Sequence, residues 1–256
     1  MWRESAQKRW NESTARLWAI NTQASRRVLI TVKKMADEAV VRSVYHFTHL
    51  ENIASILKDG VLHPDVKVTH PNDYADSGIK QKRRVLKVSV EPFGYLGDYA
   101  PFYFTPQSPM LAVVATRNIQ GTPPVRQAHL AIIRLNFEPK EDAIINGSSS
   151  IVTSKHPLSR GALIAKATPD NIKKLVNWKV IYSSNKWSVP SVYPDEWQRL
   201  RQAELLVHGG LHIHGANLTI FVRTDAALMK VENLVKESGH EVSVEANEKY
   251  YHHHLP

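Results

Sequence analysis

The chain has 256 residues, a formal net charge of +9 and no cysteine. That length allows one large domain or two small ones. The absence of cysteine excludes disulfides and thiolate metal sites, and no apolar run approaches the roughly 20 residues that cross a bilayer. The N-terminus also lacks the apolar segment of a secretory signal, so we expect a cytoplasmic protein without a membrane partner.

The positive charge is concentrated in residues 1–42, which hold nine Lys or Arg, four acidic residues and neither Gly nor Pro. Trp and aliphatic residues among the basic ones predict one or two basic helices. We interpret this segment as an N-terminal helical extension, and contact with a membrane surface or nucleic acid is the less favoured alternative. The rest of the chain is only mildly basic, which is weak evidence for nucleic-acid binding.

The next segment predicts a strand followed by a helix. Val44–Phe47 has strand character, and the sequence from Thr48 to Glu51 has the form of a capping box, which predicts a helix starting at Thr48 and ending at Gly60. This arrangement would bring His46 and Thr48 to a helix N-terminus, where N–H groups favour polar or anionic ligands. A His before a capping Thr is more often structural, so these residues alone do not identify a site.

A dense basic run follows the turn-rich segment from His63 to Gly78. Five cations stand within eight residues with no acid among them: Lys80, Lys82, Arg83, Arg84 and Lys87. Such a run is ordinarily a solvated face, but it could equally bind phosphates. The alternation from Val85 to Val90 predicts a strand.

The aromatic stretch DYAPFYFTPQSPML, residues 98–111, comes next. Phe102–Phe104 predicts a short strand preceded by Pro101, and Ser108 and Pro109 are typical of the N-cap and first position of a helix. The plain interpretation is a core strand that turns into a core helix. A tyrosine at such a turn is also suited to form a wall for a flat ligand.

The remaining chain predicts further strands and helices in one α+β domain from residue 43 to residue 256. The main expectations are a strand at 129–137, a loop at 147–150, a helix capped by Thr168, a strand at Leu205–Val207 with Glu204 at its entrance, a helix at Thr224–Ser238 and a strand at Glu241–Glu245. Neither repeats nor a convincing domain break interrupt this segment.

Three histidines have the only metal-like spacing, and they are His208, His212 and His214. Zinc needs three or four ligands with fixed outer partners, and such histidines are often structural, so we predict no metal site. The run His252–His254 is interpreted as a tail. Nucleophile elbows, P-loops and Rossmann glycine fingerprints are absent from the sequence.

Four motifs in this order resemble the DarT family of bacterial ADP-ribosyltransferase toxins, which use NAD to modify bases of single-stranded DNA. The motifs are YHFTHLENIASILKDGVL, GIKQKRR, DYAPFYFTPQSPML and RQAELLV, within residues 44–207. The resemblance implies a split central β-sheet flanked by helices, with NAD in a cleft between the halves. It also implies a toxin–antitoxin system with a role in antiviral defence, whose antitoxin often contains an ADP-ribose-removing domain.

The resemblance further implies roles for individual residues. Arg83 would organise NAD and act in catalysis, with the adjacent Arg84 as the alternative assignment, and Glu204 would be the catalytic carboxylate. The residues expected to contact NAD are His46, Thr48, Asn52, Arg83 and Tyr103. Those expected to contact nucleic acid are Lys80, Lys82 and Arg84. The family often has Arg where Gln107 stands, which leaves the choice of modified base open.

The chemistry of the transfer agrees with these residue types. Breaking the nicotinamide–ribose bond leaves an oxocarbenium-like ribose, which the carboxylate of Glu204 can stabilise while also accepting the proton of the attacking base. Arg83 can bind a phosphate by paired hydrogen bonds, and Tyr103 can align the nicotinamide. No metal is required. The acceptor must present an unpaired base, which suits single strands.

Two alternatives remain open at this point. The same enzyme class could act on RNA or on a protein, because recognition of the 2′-OH leaves no simple motif. A catalytically inactive NAD- or nucleic-acid-binding module is the second alternative, and the joint presence of Arg83, Tyr103 and Glu204 argues against it. We expect a monomer.

Overall fold

The computed structural model describes residues 43–67, 76–116, 124–183, 195–253 and 255. The predicted helical extension, residues 1–42, lies outside the described residues. Within them the chain forms eleven strands: β1 (Ser43–His49), β2 (Val61–Leu62), β3 (Tyr99–Tyr103), β4 (Leu130–Asn136), β5 (Ile144–Ile145), β6 (Ser148–Thr153), β7 (Ile164–Lys166), β8 (Glu204–His208), β9 (Leu211–His212), β10 (Asn217–Val222) and β11 (Ser243–Ala246).

Helices connect these strands. They are α1 (Asn52–Asp59), α2 (Ser77–Val85), α3 (Pro109–Thr116), α4 (Pro169–Leu175), α5 (Trp178–Ile181), α6 (Asp195–Arg201) and α7 (Asp225–Ser238), with short 3-10 turns at Leu96–Asp98, Gln127–His129 and Glu248–Tyr250. None of the described helices is both long enough and apolar enough to cross a membrane.

Nine strands form one sheet in the order β11-β10-β4-β1-β3-β8-β6-β5, with β7 also paired to β6, and β2 pairs separately with β9. All neighbours in the large sheet are antiparallel except β10 and β11. Alternate residues of β4 enter two core clusters: Ile133 and Leu135 pack with α1 and α7, whereas Leu130 and Ile132 pack with α3. Helices therefore cover both faces of the sheet, as predicted.

The sheet is split between β1 and β3. β1 pairs with β4 along its whole length, from Ser43 to His49, but it pairs with β3 only at Tyr45 opposite Tyr103. Next to that pair, a side-chain hydrogen bond joins the two strands in place of backbone hydrogen bonds. His46 Nδ1 donates to the Pro101 carbonyl oxygen at 2.9 Å. The two halves of the sheet diverge here, which opens a cleft between them.

Most predicted elements are confirmed by local chemistry. Gly60 ends α1 with φ of 65°, a left-handed conformation that glycine adopts readily. Ser108 Oγ accepts a hydrogen bond from the Leu111 N–H at the start of α3. Thr168 and Thr224 cap α4 and α7 in the same way. The last strand was predicted at Glu241–Glu245 and is found slightly later, as β11.

The predicted helix start at Thr48 is wrong. Thr48 remains in β1, where it pairs with Ala131, and α1 begins at Asn52 after Glu51, whose side chain makes no capping bond. The ladder to β4 outweighs the capping signal because it satisfies the backbone groups of Thr48. The hydroxyl of Thr48 instead accepts a hydrogen bond from Asn52 Nδ2 at 3.1 Å.

Two further assignments are wrong in the same region of the chain. The segment Val85–Val90 is not a strand, because α2 extends to Val85 and Leu86 N–H still bonds to the Lys82 carbonyl. Only Lys87 in that segment has a ladder partner, Tyr95. Pro101 lies inside β3 rather than before it, which is tolerated because β3 lacks a continuous ladder on its β1 side.

Two polar segments are more ordered than predicted. The expected loop at 147–150 enters β6, and its serines bond to backbone carbonyls, Ser148 to Gly210 and Ser150 to Ala143. His252 is buried rather than part of a loose tail, with its backbone N–H donating to Gln127. The His252 imidazole also lies 3.2 Å from the Ser108 carbonyl oxygen, so hydroxyl and imidazole groups that suggest loops in the sequence here bond to backbone carbonyls.

Candidate active site

A pocket occupies the split in the sheet. It is bounded by β1, β3, α2, α3 and the entrance of β8, and it contains every residue predicted to bind NAD or to catalyse transfer. These are His46, Thr48, Asn52, Arg83, Tyr103 and Glu204. Lys80 also lines the pocket, whereas Lys82 and Arg84 do not. His46 and Glu204 are far apart in the sequence, so only the fold brings these residues together.

Arg83 and Glu204 form a buried ion pair in this pocket. Arg83 Nη1 lies 2.9 Å from Glu204 Oε2 and 3.3 Å from Oε1, and the side chains are 13% and 1% exposed. Arg83 comes from the last turn of α2, and Glu204 is fixed at the start of β8 by its backbone N–H, which donates to Thr153 Oγ1 at 2.9 Å.

The pair uses only one of the two terminal nitrogens of Arg83. Nη2 of Arg83 is buried and has no hydrogen-bond partner among the described residues. A buried donor without a partner is energetically unfavourable, and such groups are rare in folded proteins. Nη2 is therefore available to bind an acceptor atom of a ligand in the pocket.

Tyr103 forms the aromatic wall beside this pair. It is directly opposite Glu204 in the β3–β8 ladder, and the ring of Phe47 is stacked on it with centroids 6.3 Å apart and planes at 17°. Burial raises the pKa of Tyr103 well above its ordinary value, and the Glu204 carboxylate raises it further while Arg83 opposes the shift. The phenol consequently stays neutral and retains its hydroxyl proton at neutral pH.

Another part of the pocket lining is polar. His46 is fixed by its bond to the Pro101 carbonyl, and Asn52 is fixed by its bond to Thr48. Thr48 and Asn52 are both buried. Because these side chains are held by hydrogen bonds within the protein, this part of the lining is preorganised for a ligand that makes hydrogen bonds.

A family model described as ssDNA thymidine ADP-ribosyltransferase, DarT, matches residues 45–252. The chain belongs to this family. The DNA ADP-ribosyl transferase of Thermus sp. (strain 2.9) is 29% identical over 170 residues, which are 64% of this chain and 74% of that protein. The DNA ADP-ribosyl transferase–DNA ADP-ribosyl glycohydrolase fusion protein of Thermosipho africanus is 28% identical over 144 residues, 54% of this chain and 33% of the fusion.

Solved structures show the same fold. Thermus sp. 2.9 DarT in complex with ADP-ribosylated ssDNA matches with a TM-score of 0.69 and 24% identity, covering 82% of this chain and 96% of that one. The same protein in complex with NAD+ matches with a TM-score of 0.65 and 23% identity, covering 82% and 98%. The predicted DarT family, its ADP-ribosyltransferase enzyme class and the split-sheet fold are confirmed, and the NAD+ complex agrees with NAD as the predicted co-substrate.

The basic residues predicted to bind nucleic acid differ in their surroundings. Lys80 and Arg84 both form ion pairs with Asp65, with Arg84 Nη2 3.0 Å from Asp65 Oδ2. Lys82 is exposed and has no ion pair among the described residues. A contact with nucleic acid remains a prediction for all three, and for two of them it would compete with an existing carboxylate.

Several pocket residues have no counterpart among the sequence predictions. Asp65, His49 and His156 all line the cavity. Burial lowers the pKa of His156; Glu204 raises it, and Arg83 and Arg199 lower it, so a neutral imidazole faces the ion pair. Burial likewise lowers the pKa of His49. No periodicity or spacing around these residues indicates a site, because loops and strand ends bring them there.

Gln107 lies outside the pocket. Its amide nitrogen donates to the Lys249 and Tyr251 carbonyl oxygens at 3.2 and 2.8 Å, so the side chain fixes the C-terminal segment. Gln107 therefore has a structural role in this chain. The three histidines with metal-like spacing also do not converge, since no group of three possible metal ligands occurs among the described residues.

Proposed function

We propose that this chain transfers ADP-ribose from NAD to the thymine base of single-stranded DNA. The observation that carries the proposal is the buried Arg83–Glu204 pair beside Tyr103, in a cleft of a chain that belongs to the DarT family. The family description names ssDNA thymidine as the acceptor, and the Thermus relative has been solved with ADP-ribosylated ssDNA.

Glu204 carries the charge chemistry of the transfer. As the bond between nicotinamide nitrogen and ribose C1′ breaks, both electrons leave with the nicotinamide, and positive charge develops on the ribose. The carboxylate stabilises that charge in a site from which most water is excluded. The base nitrogen then bonds to C1′ and its proton passes to Glu204, which acts as general base.

Arg83 and Tyr103 align NAD for this step. Arg83 holds Glu204 through Nη1 and offers its unpartnered Nη2 to a phosphate or ribose oxygen of NAD. Tyr103, stacked with Phe47, supports the nicotinamide ring so that the breaking bond points toward Glu204. His46, Thr48 and Asn52, which line the same pocket, supply further polar contacts and complete the proposed NAD site.

Mass spectrometry of defined oligonucleotides after incubation with the full chain and NAD tests the proposal. The expected product is single-stranded DNA carrying one ADP-ribose on thymine, with less product from a duplex of the same sequence and an equal yield in the presence of a chelator. Full activity on duplex, or abolition by the chelator, would contradict the mechanism. Modification of RNA but not DNA would support the alternative acceptor.

The toxin role and its neutralisation are part of the same proposal. The Thermosipho fusion joins a DNA ADP-ribosyl transferase to a DNA ADP-ribosyl glycohydrolase, which supports an ADP-ribose-removing antitoxin as the partner of this chain. Expression should therefore arrest growth of a bacterial host, and co-expression of a DNA ADP-ribosyl glycohydrolase should restore it. A cytoplasmic location and a monomeric state remain predictions.

We also propose that residues 1–42 form an extension that the reaction does not require. The family match begins at residue 45, and Met35 offers an alternative start. Deleting residues 1–34 should leave oligonucleotide modification largely intact. A folded deletion protein without activity on any acceptor would place the domain boundary further upstream.

A further inference from the structure

The loop that follows α2 carries two exposed aromatic rings that have no place in the transfer chemistry. Residues 86–96, called here the 86–96 hairpin, fold back on themselves through bonds from Leu96 N–H to the Leu86 carbonyl and from Val88 N–H to the Gly94 carbonyl. Phe93 at its tip is 52% exposed and Tyr95 is 41% exposed. Among the described residues, neither ring contacts another aromatic ring.

Phe93 is held in an unusual conformation. Its φ is 65°, in the left-handed region that bulky residues with a Cβ rarely adopt. The N–H of Phe93 donates to the Val90 carbonyl at 2.8 Å, and its carbonyl accepts from the Tyr99 hydroxyl at 2.5 Å. Burial raises the pKa of Tyr99 to about 12, so this hydroxyl keeps the proton that it donates. Strained residues maintained in this way are concentrated at ligand-binding sites.

The hairpin is attached to both the pocket and the basic helix. Tyr99, which holds the tip, lines the active-site pocket. At the base of the hairpin, a Cβ added to Gly97 would lie only 3.2 Å from Arg84 Cα, so this segment packs directly on the end of α2. Tyr99 therefore links the two regions, because it bonds to Phe93 at the tip of the hairpin and also lines the pocket.

The surface around the hairpin is positively charged. Lys82, Arg84 and Lys87 are exposed on α2 and the first hairpin arm. Glu91 is the only acidic residue between Leu86 and Leu96, and it is paired with Lys166. Arg84 is paired with Asp65, whereas Lys82 and Lys87 form no ion pair among the described residues. Exposed rings next to such cations match the chemistry of a single nucleic-acid strand, whose phosphates and unpaired bases are both accessible.

We propose that Phe93 and Tyr95 form a stacking surface for the bases next to the target base on the acceptor strand. This inference rests on the proposed function and adds to it a second contact region outside the pocket. Stacking on rings is tolerant of sequence because every base has a flat face. The surface would therefore increase affinity for single strands and hold the neighbouring nucleotides, while the pocket selects the base that reacts.

The test compares Phe93→Ala, Phe93→Gly and Phe93→Trp in the full chain, with fluorescence anisotropy of a labelled single-stranded DNA. Loss of a stacked base should weaken DNA binding by about fivefold to a hundredfold in the Ala and Gly variants and leave the Trp variant near wild type. Glycine accepts positive φ, so Phe93→Gly removes the ring without strain, and equal loss in Ala and Gly assigns the effect to the ring.

Kinetics separate this surface from the reaction centre. The KM for the oligonucleotide should rise in Phe93→Ala, whereas the KM for NAD and kcat at saturating DNA should not change. Leu163→Ala is the matched control, since Leu163 is also exposed and apolar but lies outside the hairpin. Wild-type protein that modifies DNA, together with Phe93→Ala and Tyr95→Ala variants whose DNA affinity stays within twofold, would overturn this inference alone. Wild-type protein that does not modify DNA would overturn the proposed function.

Discussion

Arg83 and Arg84 are adjacent at the end of α2, yet each pairs with a carboxylate in a different environment. Arg83 meets Glu204 inside the pocket, where both side chains are largely buried. Arg84 meets Asp65 at the surface and is 52% exposed. Consecutive helix residues point about 100° apart, so neighbouring positions of one residue type receive different surroundings.

The comparison separates a buried ion pair in the pocket from a more exposed one. A buried pair carries a desolvation penalty that its attraction barely offsets, so stability alone gives little reason to keep one. An exposed pair has little effect either way, typically about 0–1 kcal/mol. Arg83 and Glu204 also leave a buried donor unpartnered in a pocket, whereas Arg84 and Asp65 leave none there. The unpartnered donor favours ligand binding at the Arg83–Glu204 pair, whereas nothing comparable favours it at the Arg84–Asp65 pair.

The largest expected effect comes from Glu204→Gln. Glutamine keeps the size of the side chain and an acceptor for Arg83, but it removes the negative charge and the proton acceptor. Loss of a positioned general base costs on the order of a hundredfold to ten-thousandfold in rate, and the lost charge stabilisation adds to this. Transfer to an oligonucleotide should therefore approach the limit of detection, while NAD binding measured by calorimetry persists.

The matched control for this variant is Glu196→Gln, eight residues upstream. Glu196 pairs with Lys155, and its side chain is half exposed. Glu196→Gln removes the same charge from a surface pair and should leave the rate of transfer to the oligonucleotide unchanged. Near-wild-type transfer by Glu204→Gln, with toxicity retained in a bacterial host, would remove Glu204 from the catalytic role.

A smaller effect is expected from exchanging each arginine for lysine. Lysine keeps the charge but cannot bind Glu204 and a ligand through two fixed nitrogens, so Arg83→Lys should lower transfer on the order of a hundredfold. Arg84→Lys preserves a surface pair and should change the free energy of unfolding by less than about 1 kcal/mol with little effect on turnover. Paired rate measurements on the two variants check this, and equal losses would show that the two sites are not distinct.

The next effect in size is a pH dependence of stability near the buried pair. Burial lowers the pKa of His156 in the folded protein, whereas the unfolded chain protonates near the ordinary value of about 6.5. Below that pH the unfolded state binds a proton that the folded state resists, so stability should fall as the pH drops from about 7 to 5. The Tm of His156→Gln should fall less over this range than that of the wild type.

Other histidines provide the internal reference for that measurement. Burial also lowers the pKa of His49 and His252, so the variant should retain part of the wild-type pH dependence. Identical slopes in wild type and His156→Gln would show that His156 does not contribute. A variant that lost all dependence would contradict the assignment to the other two.

The sequence predicted the members of the site better than their arrangement. Motifs that resemble a family pointed to Arg83, Tyr103 and Glu204, which all line one pocket. The strands of Tyr103 and Glu204 were predicted from local patterns, whereas the helix that carries Arg83 was not. The split between β1 and β3 was expected only from the resemblance, because a missing ladder leaves no local signal. Its physical marker is the bond from His46 to the Pro101 carbonyl, between residues 55 positions apart.

Long-range contacts also explain what sequence reasoning missed. Asp65 stands in a turn-rich segment and His156 in a short polar one, and neither has periodicity that indicates its role. The capping box at Thr48 failed because a ladder to β4, remote in sequence, claimed the same backbone groups. Local patterns predict structure until a distant partner satisfies the same donor or acceptor more fully.

The smallest effect is expected from Asp65→Asn, which tests the Arg84–Asp65 pair directly. This change removes the carboxylate that neutralises Lys80 and Arg84 without altering the size of the side chain. Stability should fall by about 1 kcal/mol or more, because Arg84 is half exposed but Lys80 and Asp65 are only 16% and 23% exposed. Arg84, which is 52% exposed, should then bind an acceptor phosphate, so affinity for single-stranded DNA should rise a few-fold at low salt and depend more steeply on salt concentration. Asp170→Asn is the charge-matched control, since Asp170 pairs with Lys174 on α4 and does not line the pocket. Equal gains in both variants would mean that net charge alone is responsible, and weaker DNA binding by Asp65→Asn would show that Asp65 positions Lys80 rather than competing with DNA for it.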